Sequence, residues 1–541
     1  MSKTERKAFR KDHYVLICTF SYILSLIFRI PLLYMIGEKG VAYFSIANEI
    51  YILAGGLFTY GLSKAVSMLI RYRIKREQYK NADRVLQGAL LLASVTGIII
   101  GVFVLLAGEW IAGQVVGVPL AGLAVCMVSF SIIFQMLTGV FRGYFEGNGS
   151  RVPSMHSVVL KSLVMIPAGL IGASLLRQYG AKVSALLKVE DYAAAYGAMG
   201  AMIGILAASV LGFLHMLLLY FIYHGKSKKQ TARELQKNPD KRLNILHMLI
   251  GTAVPFACYA VSFRIVPLLD GIFFVRTAKE GIDATQLWGN YYGKYLVVIG
   301  IISFLVSLAG SGQMKKIIYF MERDEFRMAR EKMGALIHQT ALISIPAAIF
   351  TAVLAENFLN LLFKGNNDDI VYHTAWGSII IVLFAFSGLF ADFLIRLENL
   401  MYVIFYEVIA LVMHVALTLI LLKNTDLSLM AVVISNIVSF IVLMVIGFLL
   451  LCRRLQYRQE WIHTFAFPVI DAAIAGIVVM LLNRLFASFA GTTIALIVSL
   501  PLGIILYMVL LIVTRAVTER ELGNMAGGRI LLTLGRWMRF M

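Results

Sequence analysis

Apolar runs of about 18 or more residues recur along the whole of this chain, each long enough to cross the hydrocarbon core of a bilayer as a helix. Within lipid every backbone N–H and C=O must be satisfied inside the protein, so chains of this pattern fold as helices or closed barrels, and runs this long exclude barrel strands. Of the 541 residues 60% are hydrophobic and 15% charged, against about 25% charged in soluble domains. The fold class expected is therefore an all-α polytopic membrane protein. The basic stretch "MSKTERKAFRK" precedes a long run with no small-residue cleavage site, which reads as a retained first helix and not as a signal peptide.

About fourteen spans are expected, near 14–36, 41–70, 86–108, 119–145, 154–176, 192–223, 246–275, 289–312, 334–354, 372–396, 402–422, 427–452, 467–487 and 493–514. Lys and Arg alternate between the connections: five in 1–13, six in 71–84, seven in 224–242, six in 313–332 and five in 515–541, against none in 109–118, three in 177–191 and two in 276–288. Positive loops stay on the cytoplasmic side, so both termini are expected inside. The same bias accounts for the net charge of +19 without nucleic acid. Cys18, Cys126, Cys258 and Cys452 lie in or beside apolar runs, far apart and without metal-ligand spacing, as small core residues do.

The basic stretch 224–245 divides the chain. Helices 1–6 (1–223) form an expected N-lobe and helices 7–12 (246–452) a C-lobe; 453–514 adds two helices, and 515–541 a basic amphipathic tail lying on the inner membrane surface. Segments of the two halves echo each other in order. "FRIP" at 28–31 matches "FRIVP" at 263–267, "QYKNADRVLQGAL" (78–90) matches "EFRMAREKMGAL" (325–336), and "LAGEWIAGQVVG" (106–117) matches "LAENFLNLLFKG" (354–365). Six helices per unit is an even number, so both halves run the same way. A parallel repeat of this kind implies two lobes related by a pseudo-two-fold along the membrane normal, with a transport path between them.

Among the cations within the spans, Arg29, Lys64, Arg264 and Lys294 are the candidates. A charge at the bilayer centre costs about 2.5–3.5 kcal/mol on insertion scales, so a retained one marks a functional site. Lys64 and Lys294 lie near enough to helix ends to snorkel. Arg29 and Arg264 are deeper and occupy equivalent places in the repeat, beside Pro31 and Pro267, which break the backbone ladder and let the helix bend around a cavity. A guanidinium grips phosphate through two parallel hydrogen bonds. The structural alternatives are Arg264 paired with Asp270, or Arg29 with Glu49. Glu49 and Asp270 are also the candidates for carrying a coupling ion; Asp392 and Arg396, four apart, read as a local ion pair. "GAMGAMIG" (197–204) and "GIIIG" (97–101) have the small-residue spacing of closely packed helices. No phosphate loop, HExxH or GxSxG occurs, so neither an enzyme nor a cofactor is expected.

The stretches "FRIPLLYMIGEKGVAYFSIANEIYIL" (28–53), "GLSKAV" (61–66) and "RGYFEGNGSRVPSM" (142–155) resemble the polysaccharide-transporter branch of the multidrug/oligosaccharidyl-lipid/polysaccharide (MOP) exporter superfamily. The resemblance covers most of the chain. It implies a bacterial plasma-membrane flippase whose two lobes rock around a central cavity, carrying a polyprenyl-(pyro)phosphate-linked sugar to the outer leaflet. Membrane lipids, and enzymes of cell-envelope glycan synthesis, are the partners it suggests. Arg29 matches the motif arginine of the first helix. Where the branch often has a Glu-Gln pair on the fifth helix, this chain has Lys161 and Ser162, which implies either a different substrate or a differently built inner gate. Two other readings compete: an organic-cation antiporter of the same superfamily, which would favour buried carboxylates, and a non-transporting scaffold that recruits polysaccharide-synthesis enzymes through its basic loops.

Overall fold

The computed structural model describes residues 13–232, 240–279, 281–308, 313–365 and 367–517, and every element among them is helical. The first elements are α1 His13–Ile27, α2 Arg29–Ala54, α3 Gly61–Lys75, α4 Tyr79–Trp110, α5 Gly122–Gly147, α6 Val152–Leu187, α7 Tyr192–Ala232, α8 Arg242–Ser262, α9 Val266–Thr277 and α10 Ala284–Asn290. Then come α11 Leu296–Ser307, α12 Met314–Met321, α13 Phe326–Val353, α14 Ala355–Leu362, α15 Asp368–Gly377 and α16 Ile379–Arg396. The chain closes with α17 Leu400–Asn424, α18 Leu429–Leu455, α19 Phe467–Ala490 and α20 Thr492–Val513. Two compact units result. The first contains 13–293 and 399–432, the second 294–398 and the described part of 433–541.

Among the described residues 13 segments are long and apolar enough to cross a membrane. The first, Tyr14–Lys75, has 62 residues, about 93 Å of helix and three times the hydrocarbon core. It is broken at Gly37, whose φ of 73° and ψ of 177° are open to glycine and strained for any residue with a Cβ. Counting the crossings on either side of Gly37 separately brings the total to the fourteen that the apolar runs predict.

The helices outrun the apolar stretches. The connection expected at 177–191 is mostly helix, because α6 continues to Leu187 and ends at Lys188 in the left-handed region. Likewise α7 runs through the start of the basic stretch to Ala232. Hydropathy reports only the width of the lipid core; Lys, Arg, Gln and Ala propagate a helix well beyond it. The stretches 1–12, 233–239 and 518–541, which hold most of the two basic tails and part of the linker, lie outside the described residues.

The echoes between the halves carry matching backbone. Glu77 and Asp324, both at φ 58°, stand two residues before α4 and α13. Gly117 and Gly365 close the next echo at φ 90° and 101°. Phe28 interrupts the line from α1 to α2, and Phe263–Ile265 forms the turn between α8 and α9.

Within the first unit α6 and α7 pack backbone to backbone. A Cβ on Gly200 would stand 2.1 Å from the Gly172 carbonyl oxygen, and one on Gly204 2.2 Å from Gly169 Cα. A Cβ on Gly97 of α4 would stand 3.2 Å from Ile133 Cα of α5, and one on Gly101 3.0 Å from the Ser129 carbonyl oxygen. The second unit is built on α13, packed against α11, α16 and α19. Polar staples join its helices: Asn357 and Asn483 exchange amide hydrogen bonds of 3.0 and 2.8 Å, and the Tyr507 hydroxyl donates to the Leu342 carbonyl at 3.1 Å. Arg396 Nε donates to both oxygens of Asp392 at 2.9 Å.

Overpacking a filled contact costs about 1–3 kcal/mol, whereas alanine for glycine in an open helix position gains up to about 1 kcal/mol. Gly200→Ala should therefore lower the midpoint of thermal unfolding in detergent. Gly251→Ala, where a Cβ meets nothing within 4 Å, should leave it unchanged or raise it.

Candidate functional site

Both deep arginines sit on the breaks just described. Pro31 has no N–H to offer the Ile27 carbonyl and Pro267 none for Phe263, so the helical ladder is interrupted next to each guanidinium. Their surroundings differ. Arg29 is buried, at 7% exposure, and its guanidinium carbon lies 3.9 Å from the ring centroid of Tyr292. Its Nη1 also donates to the Tyr292 carbonyl at 3.4 Å. The Tyr292 hydroxyl donates to Glu49 and accepts from Asn48 Nδ2 at 2.9 Å. Arg29 and Glu49 are thus linked through a tyrosine, which answers the expected alternative of a direct pair with an indirect one.

Tyr292 is placed by close packing. A Cβ on Gly289 would fall 1.8 Å from the Glu38 carbonyl oxygen, so α10 rests directly on the backbone beside the Gly37 break. Trp288 Nε1 donates to Ser45 Oγ at 3.0 Å, and the π-helical turn that follows swings Tyr292 over Arg29. At the rim Lys39 bridges Asp191 and Asp283, each at 3.0 Å. The Asp283 carboxyl titrates below its usual range: desolvation pulls it up, but the Gln286 amide and Lys39 outweigh that.

Arg264 is exposed in the α8–α9 turn, near enough to Glu49, Glu407 and Tyr22 for its charge to act on each. It does not take Asp270, which is buried and paired with His414 of α17 at 2.7 Å; the Thr418 hydroxyl lies 3.3 Å from the same imidazole nitrogen. Lys64 stands 5.5 Å from the Tyr60 ring centroid, and Lys294 is buried in the second unit. Neither lines the cavity that holds Arg29.

That cavity, ≈ 220 Å³, lies between α1, α2, α5 and α6 of the first unit. It holds three cations, Arg29, Arg142 and Lys161, with the polar side chains of Ser21, Ser25, Asn48 and Ser162, and among the described residues no carboxylate lines it. Ser21 and Ser162 share a hydrogen bond across α1 and α6. Arg142 Nε donates to Ser157 Oγ at 2.7 Å, and Lys161 Nζ stands 4.7 Å from the Tyr51 ring centroid. Pockets for drug-sized ligands measure about 300–1,000 Å³, so this one suits an anionic headgroup and not a whole oligosaccharide. Two of its cations were missed by counting charges within apolar runs. Arg142 lies within the span 119–145 as the start of the "RGYF" motif, and Lys161, within 154–176, stood out only as a departure from the branch.

Residues 13–251 match the family of polysaccharide biosynthesis proteins. Stage V sporulation protein B of Bacillus subtilis (strain 168) is 18% identical over 521 residues, 96% of this chain and 97% of that one. The lipid II flippase MurJ of the same organism is 20% identical, covering 87% of each. Among solved structures, a lipid II flippase MurJ in an inward closed conformation superposes with TM-score 0.65, 16% identity and coverage of 92% of this chain and 97% of that one. An inward-facing multidrug resistance MATE transporter gives TM-score 0.64, 17% identity and coverage of 83% and 99%. Its candidate spans and these likenesses describe a multi-pass membrane protein with the fold that those transporters share. The chain is thus similar in sequence to polysaccharide biosynthesis proteins over residues 13–251, and in fold to a lipid II flippase and to a multidrug transporter of the MOP superfamily.

Cys18 lines the cavity. With Cys126, Cys258 and Cys452 replaced by serine, Cys18 should react several-fold faster with an anionic thiosulfonate than with a cationic one of equal size, because the cations concentrate anions there. Equal rates would show that the cavity is not electropositive.

Proposed function

We propose that this protein is a flippase that moves a polyprenyl-(pyro)phosphate-linked oligosaccharide, or a peptidoglycan or polysaccharide precursor, from the inner to the outer leaflet of a bacterial plasma membrane by alternating access. The observation that carries this reading is a cavity that, among the described residues, has three cations and no carboxylate in its lining, inside membrane-spanning helices. A diphosphate headgroup cannot leave water for lipid unaided; a path lined by fixed positive charge and hydroxyls replaces its hydration. The names of the relatives support the same class, one of them being a lipid II flippase. The charge bias of the loops supports cytoplasmic termini, and the repeat supports lobes 1–223 and 246–452 as the rocking bodies.

In this reading Arg29 and Arg264 contact the headgroup in turn. Arg29 is held over Tyr292 in the first unit's interior, and Arg264 is exposed beside Glu49 and Glu407. Lys64 and Lys294, the other two candidates for headgroup contact, lie outside the lining of the Arg29 cavity. Energy enters through a coupling ion, and of the two candidates Asp270 is better placed, because a buried carboxylate–imidazole pair between α9 and α17 can exchange a cation without opening the headgroup cavity. Glu49 already serves the Arg29–Tyr292 network.

Reconstituted in vesicles with a fluorescent polyprenyl diphosphate oligosaccharide, the wild-type protein should expose the lipid to an outside quencher. Removing a charge-assisted contact costs about 1.5–3 kcal/mol, so Arg29→Ala and Arg264→Ala should each slow translocation roughly tenfold or more while inserting normally. Wild-type turnover in both would end this assignment.

Asp270→Asn and His414→Gln should abolish the acceleration that an imposed proton or sodium gradient gives, with headgroup binding retained. Undiminished gradient dependence would move coupling elsewhere.

The organic-cation antiporter draws support from the MATE likeness and from buried Glu49 and Asp270. It requires cation uptake that Glu49→Gln or Asp270→Asn abolishes and Arg29→Ala leaves alone. A scaffold would tolerate Arg29→Ala and fail on changes in 224–242.

A further inference from the structure

Arg142 and Lys161 have no partner role that explains them. Arg29 is accounted for by Tyr292 and Glu49. Arg142 is oriented by a neutral hydroxyl and Lys161 rests near an aromatic ring; among the described residues neither has a carboxylate within ion-pair distance. Glu146, one turn beyond Arg142, accepts from Tyr14 at 3.4 Å and does not line the cavity. Two positive charges are thus left facing one hollow, together with the Ser21–Ser162 hydroxyl pair.

Their depths are graded. Tyr14 meets Glu146 and lies under Arg151, so the start of α1, the end of α5 and the start of α6 share one end of the bundle. From that end Arg142 stands five residues in from Gly147, Lys161 nine from Val152 and Arg29 sixteen from His13. At 1.5 Å per residue these are about 8, 14 and 24 Å. The cations form a ladder from the bundle's end toward its middle.

We infer that Arg142 and Lys161, with Ser21 and Ser162, form a receiving subsite for a phosphate-bearing lipid headgroup, occupied before that headgroup reaches Arg29. The inference rests on the flippase reading and adds the residues that take up the substrate. Two charges match the two negative charges of a diphosphate diester. A lipid is favoured over free phosphate because Leu16, Phe20 and Leu163, on the outer faces of α1 and α6, are exposed beside the cavity and suit an apolar tail.

The test measures binding to purified full-length protein by three probes: undecaprenyl diphosphate, phosphatidylglycerol in nanodiscs and inorganic diphosphate. Arg142→Gln/Lys161→Gln should weaken undecaprenyl diphosphate about tenfold or more, with an unchanged unfolding midpoint. Lys161→Arg should bind as wild type, and Arg142→Lys should fall between, since it keeps the charge and loses the fork. Inorganic diphosphate should bind more weakly and show the same loss. Wild-type affinity in the double variant, or Lys161→Arg as weak as Lys161→Gln, overturns the subsite. Phosphatidylglycerol binding tighter than undecaprenyl diphosphate would make it a site for a resident lipid and overturn the substrate role. If these residues bind undecaprenyl diphosphate but the wild type translocates no sugar-bearing lipid, the flippase reading falls and the site survives as a headgroup site. If translocation proceeds and the double variant turns over normally, the subsite alone falls.

Discussion

Keeping Arg29 charged among membrane-spanning helices is the constraint on which the rest of the first unit depends. Its location would oppose insertion by about 2.5–3.5 kcal/mol at full depth, and the surrounding structure is arranged to offset that. The aromatic face of Tyr292 supplies a cation–π contact, worth about 2 kcal/mol when desolvated. Glu49 accepts from the Tyr292 hydroxyl and holds the ring in place without entering the cavity. The chain of support runs outward from there. Tyr292 depends on the π-helical turn after α10, α10 on the contact of Gly289 with the Glu38 carbonyl, and that contact on the Gly37 break. A charge, a ring and two glycines make one device.

The two "FR–P" echoes illustrate how far a repeat can be trusted. The backbone consequence of the motif recurs faithfully: both arginines sit at helix breaks beside a proline. Chemical roles do not follow automatically. Arg29 is buried under a tyrosine, whereas Arg264 lies exposed in a turn with Glu407 nearby, itself hydrogen-bonded to Ser262. Local sequence dictates where the helix breaks; what covers the arginine is decided by distant segments, here residues 288–292, which have no signature a repeat search would detect.

Much of the fold was legible because the bilayer imposes it. Hydropathy located the fourteen crossings, and small-residue spacing located the α6–α7 contact at Gly200 and Gly204. Helix ends were not legible, since charged and apolar residues propagate helix equally well outside the lipid core, as α6 and α7 show. The candidate site was half visible. Arg29, Glu49 and Asp270 could be found as charges inside apolar runs. Arg142 stood out only as the start of a motif and Lys161 only as a departure from the branch, although their helices converge on one hollow. His414 went unnoticed because a histidine in an apolar run has no fixed charge to flag it, and its pairing with Asp270 across 144 residues is a tertiary fact.

The sign of the cavity follows from where the acids are sent. Glu49 accepts from Tyr292, Glu407 from Ser262, and Asp270 faces His414. Every one is engaged by a donor, and none lines the hollow that holds Arg29, Arg142 and Lys161. A cavity meant for a drug cation would invert this arrangement, placing carboxylates inward and sheltering the bases. Here the three bases line the open space, and these acids take hydrogen bonds elsewhere. Cations gathered around one hollow attract negative charge, which is the sign of the proposed headgroup.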